Sequence, residues 1–381
     1  MFNRLYIHVP FCQKKCHYCA FVSKPPENNE LLEYPLLLRR ELQFHADEAG
    51  PLESIYFGGG TPSLLQPEQV ARLLAEIADK VLIRKDAEIT LEANPGTVDL
   101  LSLKAFNDAG VNRISLGVQS FDDNFLTCLG RIHTAEQSRQ AFQAARQAGF
   151  TSISIDLIHS LPGQSLDQWR TELQQAVALK PEHISIYGLT VEAGTPFARK
   201  YPADSPELAD EDLSADMLEC TDEFLPRYGF EHYEIANYAR PGYRSQHNSG
   251  YWQRDGYLGL GVAAHSFLRE RHGVRFCNPD NLEEYRQGVL SGQLVRVEEQ
   301  RLTEGEAMAE FMFLGLRLAE GISYRAFERE FGRSLNAVYG TAAADLAKLG
   351  LLALRGERLA LTQRGMLLSN QVFMEFVYTP V

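Results

Sequence analysis

The chain has 381 residues, 45% of them apolar, enough for one large domain plus a smaller one. A formal net charge of −13 excludes a broad nucleic-acid footprint, which needs phosphate-neutralising Lys and Arg. No apolar run is long enough to span a membrane, and the first residues lack a secretory signal, so a cytoplasmic protein is expected.

The first half alternates β-like runs with amphipathic stretches. Leu5–Val9, Ser54–Gly58, Glu88–Asn94, Arg113–Ser120, Ser152–Ile158 and His183–Leu189 read as strands. Glu30–Ala49, Pro67–Lys80, Asp99–Ala109, Ala135–Gly149 and Leu166–Leu179 read as crossover helices, which predicts a parallel sheet. Along each strand, aliphatic residues such as Ile89 and Leu91 alternate with polar ones such as Thr90 and Glu92. A doubly wound sheet would be apolar on both faces. The expectation is therefore an α/β fold: an incomplete (β/α)6 barrel, helices outside, with a wet interior open on one side. Barrel chemistry sits at the C-terminal ends of strands, where Glu92, Gln119 and Asp156 fall on the inward face.

After about Thr190 the rhythm breaks. Ala209–Tyr228 reads as a helix, Glu231–Ala239 as a strand, and Gly242–Phe276 is rich in Gly and aromatics. Glu304–Ala319, Tyr324–Phe331 and Ala337–Leu349 read as helices and Leu351–Thr362 as a hairpin. The expected division is 1–200 for the barrel, 201–300 for an extension of it, and 301–381 for a mostly helical, winged-helix-like module that packs or binds a partner.

Three of the six cysteines crowd into Cys12-Gln13-Lys14-Lys15-Cys16-His17-Tyr18-Cys19, directly after the first strand. In a reducing compartment such a group reads as a metal site. Thiolates bind zinc or iron–sulfur clusters. A structural zinc wants a fourth ligand; His8 or His17 would have to supply it, since position 21 is Phe. A cubane with three thiolates leaves one iron open as a binding site. Cys128, Cys220 and Cys277 stand alone and read as small buried hydrophobes.

The C-x3-C-x2-C spacing, with Gly58-Gly59-Gly60-Thr61-Pro62 ending the second strand, resembles the radical S-adenosylmethionine superfamily. That resemblance implies that Cys12, Cys16 and Cys19 hold a [4Fe-4S] cluster whose open iron chelates S-adenosylmethionine, with Gly59, Gly60 and Thr61 against the methionine amino group. Glu92, Gln119, Arg131 and Asp156, with Tyr6 and Tyr18, resemble the ligand contacts of its coproporphyrinogen oxidase-like branch. Glu92-Ala93-Asn94-Pro95-Gly96 and Leu129-Gly130-Arg131-Ile132-His133 carry the likeness along nearly the whole chain. Oxidases of the branch have a fourth cysteine two residues after the third, where Phe21 stands, and an N-terminal extension not seen before the first strand. His247-Asn248-Ser249-Gly250-Tyr251-Trp252 instead matches the H-N-x-x-Y-W motif of the branch's heme chaperones.

This implies a carrier of heme for apo-hemoproteins, membrane-bound respiratory enzymes foremost. A neutral His247 would offer an axial ligand, and Tyr251 and Trp252 flat area for the macrocycle. Cys277 is a rival ligand; His265 reads more simply as a hydrogen-bonded structural histidine. The alternative is oxidative decarboxylation of coproporphyrinogen III or another radical reaction. Reductive cleavage of S-adenosylmethionine and a homodimer are left open.

Overall fold

The computed structural model describes residues 1–202, 204–293 and 296–377. Positions 378–381 of the expected C-terminal module lie outside the described residues. The barrel repeat runs β1 (Phe2–Val9), α1 (Glu30–Gln43), β2 (Ala49–Gly59), α2 (Pro67–Lys80), β3 (Ile83–Ala93), α3 (Leu100–Asp108), β4 (Arg113–Gln119), α4 (Asp123–Leu129), α5 (Ala135–Gln147), β5 (Ile153–His159), α6 (Leu166–Ala178) and β6 (His183–Gly188). Reciprocal capping boxes start α3 at Asp99, α5 at Thr134 and α6 at Ser165, satisfying N–H groups the first turn leaves free. The aliphatic strand face forms the core: Leu5, Ile7, Ile55, Phe57, Leu91, Ile114, Ile155 and Ile184 are fully buried with the helices that cover them.

Beyond the repeat come α7 (Pro196–Lys200), α8 (Glu211–Phe224), β7 (Glu231–Glu234), β8 (Asn237–Ala239), α9 (Gln246–Trp252), β9 (Tyr257–Leu260), β10 (His265–Leu268), β11 (Val274–Cys277), α10 (Leu282–Ser291) and β12 (Val297–Arg301). They lengthen the sheet to 12 strands in the order β12-β11-β10-β9-β1-β2-β3-β4-β5-β6-β8-β7. The sheet stays open, with β12 and β7 at its edges. A seventh parallel strand, β9, lies beside β1 with Leu258 opposite Leu5. The expected single strand over Glu231–Ala239 is a tight hairpin, because Ile235 N–H turns away to the Arg317 carbonyl. Helix α4 was not expected. Asp122 caps its N–H at Asn124, and Gly130 at φ 74° ends it.

The C-terminal residues form a second core around Met308, Met312, Phe327, Tyr339 and Phe376. They comprise α11 (Glu304–Gly315), β13 (Ile322–Ser323), α12 (Tyr324–Phe331), α13 (Leu335–Lys348), β14 (Leu352–Arg355), β15 (Arg358–Leu361), α14 (Gln363–Leu367) and α15 (Ser369–Val377). The β14–β15 hairpin pairs with β13 in a three-stranded sheet, as a winged-helix-like module requires.

Candidate functional site

The C-terminal ends of the parallel strands open onto a cavity of about 430 Å³. Cys12, Cys16, Tyr18 and Cys19 border it from the loop after β1, and Gly59, Gly60 and Thr61 from the end of β2. Glu92, Gln119, Arg131 and Asp156 border it from β3, β4, the α4–α5 turn and β5. Tyr6 is set below, hydrogen-bonded through its hydroxyl to His8 Nδ1 at 3.1 Å and stacked on Tyr56.

The backbone yields to this end. Gly59 has φ 107°, and a Cβ on Gly60 would lie 2.6 Å from the Phe11 carbonyl oxygen, so only glycine lets β1 and β2 approach so closely. Gln119 has φ 68°, a left-handed conformation that costs a non-glycine residue about 1–3 kcal/mol and concentrates at functional sites.

The donor set fits an iron–sulfur cluster. The three thiols are free and border one cavity. Arg131 Nη1 reaches Cys16 Sγ at 3.4 Å, and the Thr61 hydroxyl donates toward Cys12 Sγ at 3.5 Å; donors aimed at sulfur favour thiolates. Burial pushes the Cys19 thiol up, and Cys16 and Cys12 add to it, while the Phe21 N–H opposes it. Arg131 also donates to the Gly117 carbonyl at 2.7 Å, yet its buried Nε has no partner among the described residues. A single zinc would need His8 or His17. His8 commits both ring nitrogens, to Tyr6 and to the Val22 carbonyl, and His17 Nδ1 bonds the Cys128 carbonyl.

Two carboxylates stand across from the thiols. Burial raises Glu92 to about 7; Asp156 adds to the rise, and bonds from the Tyr56 hydroxyl (2.7 Å) and the Gly59 N–H oppose it. Burial likewise raises Asp156 against the Ser185 and Ser115 hydroxyls, the latter at 3.1 and 3.2 Å from its two oxygens. Buried carboxylates this well placed suit a cationic or hydroxyl-bearing ligand. Tyr56, Ser115 and Ser185 were missed in the sequence, although all three lie on the polar strand face. Tyr187, which also borders the cavity, was missed as well.

The second group of expected residues lies elsewhere. α9 packs beneath β2 and closes the N-terminal end of the barrel. Glu88 accepts from the Gln246 and His247 N–H groups at 3.1 and 3.0 Å, Arg4 donates to the Gln246 carbonyl at 2.8 Å, and Arg113 to that of Tyr243 at 3.3 Å. A Cβ at Gly250 would collide with the Arg4 guanidinium. His247 is 1% exposed, 2.8 Å from Ser54 Oγ through Nδ1 and 2.8 Å from the Tyr251 hydroxyl through Nε2. Burial, with Arg4, holds its imidazole down at about 3. Trp252 faces the C-terminal module, with the Arg317 guanidinium 4.2 Å above its ring. Cys277 is buried, with its thiol toward the Val297 carbonyl. His265 is exposed and, among the described residues, has no side-chain hydrogen bond, unlike the structural histidine expected.

Comparison with known proteins accords with this geometry. Residues 6–176 match the radical SAM superfamily and residues 302–368 the HemN C-terminal domain. The heme chaperone HemW of Lactococcus lactis is 36% identical over 98% of this chain and 97% of its own. That of Bacillus subtilis is 35% identical over 98% of each. The solved structure of coproporphyrinogen III oxidase HemN from Escherichia coli superposes with a TM-score of 0.86 at 25% identity, covering 99% of this chain and 90% of that one. By these full-length likenesses the chain belongs to the HemW family of the radical SAM superfamily.

Proposed function

We propose that this protein is a cytoplasmic heme chaperone. It binds heme and passes it to apo-hemoproteins, with membrane-bound respiratory enzymes as the expected recipients. Membership of the HemW family carries the reading; the Phe21 side chain at the fourth-cysteine position supports it over the oxidase. No helix among the described residues is long and apolar enough to cross a membrane.

In this reading Cys12, Cys16 and Cys19 hold a [4Fe-4S] cluster and the cavity above it takes S-adenosylmethionine. The cluster, when bound, supplies a one-electron site with an open iron. Arg131 neutralises the ligand carboxylate and tempers the thiolate of Cys16. Glu92 receives the methionine ammonium, aided by the close approach that Gly59, Gly60 and Thr61 permit. Asp156, fixed by Ser115, accepts the ribose hydroxyls, and Gln119 and Tyr18 complete the walls. Glu92 at about 7 is charged only in part at neutral pH, and a cation beside it completes its ionisation. The proposed blocks follow the sequence: 1–200 hold cluster and S-adenosylmethionine, 201–300 carry the H-N-x-x-Y-W motif, and 301–381 form the packing module.

The competing reading is the oxidase, which the HemN superposition favours. Anaerobic incubation of cluster-loaded protein with coproporphyrinogen III, S-adenosylmethionine and a low-potential reductant separates the two. No decarboxylated porphyrin is expected, while heme titration should saturate with a defined Soret band. Turnover to protoporphyrinogen would overturn the chaperone reading.

A further inference from the structure

We propose that His247 is a positioning residue for the S-adenosylmethionine site and not a ligand of heme iron. The inference rests on the reading of Glu92 as a contact of that ligand. Arg4 Nη1 can only donate, so the Ser54 oxygen accepts from it at 3.3 Å and the Ser54 hydrogen is free for His247 Nδ1. The imidazole is neutral, so one ring nitrogen donates and the other accepts a hydroxyl hydrogen, from Ser54 at Nδ1 or from Tyr251 at Nε2. The one lone pair able to bind iron is therefore already engaged, inside the barrel floor.

The face of the imidazole has a partner too. It stacks on the Tyr56 ring, centroids 5.0 Å apart and planes at 29°, with Tyr6 stacked on the same tyrosine at 6.2 Å. Tyr56 then donates its hydroxyl to Glu92 Oε1 at 2.7 Å. His247 is thus one ring removed from the carboxylate at the cavity, and it fixes the ring that fixes Glu92. The same short helix carries Trp252 against Arg317 of the C-terminal module. The H-N-x-x-Y-W motif, on this geometry, ties the cavity floor to that module.

The groups facing Glu92 are Tyr56 and Asp156, with Tyr6, Tyr187 and Tyr251 further off. The Tyr56 bond lowers the pKa of Glu92, so loosening Tyr56 raises it, and binding of the ligand ammonium then begins at higher pH. A merely structural role for His247 would not move that profile.

The test uses full-length, cluster-loaded protein and measures S-adenosylmethionine affinity against pH and the heme Soret spectrum. His247→Ala and Tyr56→Phe are each expected to weaken S-adenosylmethionine about tenfold, the scale of one hydrogen bond to a charged group. Both should shift the acid limb of the profile to higher pH. His247→Gln can bond both Ser54 and Tyr251 and should restore most of the affinity, with all three Soret spectra like the parent's. If His247→Ala fails to fold, Tyr56→Phe and His247→Gln carry the test. An altered Soret spectrum in His247→Gln with parental S-adenosylmethionine affinity would overturn the proposal in favour of iron ligation. Glu92→Gln serves as the control. If it leaves affinity unchanged, the Glu92 reading itself is wrong. If it weakens binding while Tyr56→Phe and His247→Ala do not, only the positioning role falls.

Discussion

The two ends of the barrel draw on the same kind of residue and do opposite things with it. At the floor, Arg4, Ser54, Glu88, Arg113 and His247 are buried polar side chains with their bonds made to one another, to α9 or to the residues beside it and the neighbouring strands. At the cavity end, Arg131 keeps an unpartnered Nε, Glu92 and Asp156 are held above the ordinary carboxylate range, and Gln119 is strained. A polar inward face therefore does not mark a ligand site by itself. Satisfied groups mark a plug, and unsatisfied or strained ones mark the place a ligand completes.

Substitutions at the two ends should separate along that line. The largest effect belongs to the thiols. Cys12→Ala, Cys16→Ala or Cys19→Ala should abolish the cluster after anaerobic reconstitution, measured as iron, sulfide and visible absorbance, and leave the floor intact. Retention of a full cluster in any of them would remove that cysteine from the ligand set. Next comes Glu88→Ala, which takes the acceptor from two N–H groups of α9 and the nearby carboxylate, 4.0 Å away, from the buried Arg113 guanidinium. It should cost about 3–5 kcal/mol in denaturant unfolding, the scale for breaking a buried charged network, while cysteine spacing is unaffected. A loss under about 1 kcal/mol would mean the floor is wet and the contrast between the ends false.

A smaller effect is expected at Asp156. Asp156→Ala should weaken S-adenosylmethionine roughly ten- to a hundredfold with the cluster retained, the cost of about 1.5–3 kcal/mol for one charged hydrogen bond. Parental affinity, by equilibrium dialysis, would place the ligand elsewhere. The smallest effect is a gain. Folding raises Glu92 from 4.5 to about 7, so the stability tied to its neutral form is whole below pH 4.5 and lost as pH rises through 7. Glu92→Gln escapes that loss and should be more stable than the parent at pH 8, by an amount on the order of 1 kcal/mol, and no more stable at pH 4. Equal stability at both pH values would show that Glu92 is hydrated rather than buried.

The barrel and its cavity were legible because they follow local rules. Alternation along Leu5–Val9 or Ile153–Leu157 assigns each side chain to a face, and the strand ends then deliver Glu92, Gln119 and Asp156 to one rim. The cysteine spacing is likewise local. What escaped depends on contacts distant in sequence. Nothing within Tyr257–Leu260 says that it lies parallel to β1, about 250 residues away. His247 and Ser54 meet across 193 positions, so the burial of the motif against β2 shows only once the sheet is folded beneath it. Tyr56 looks like any alternating strand residue, and its role appears only when Glu92 and His247 lie on either side of it.

Heme transfer bears most directly on what this protein does. The cluster-loaded protein, charged with heme, is mixed with an apo-cytochrome, and holo-cytochrome formation is followed by its absorption bands against free heme at the same concentration. Faster or more complete loading from the protein than from free heme is expected, with loss of the donor's Soret band in step. Heme that stays on the protein, or loading no faster than from free heme, would contradict the chaperone function.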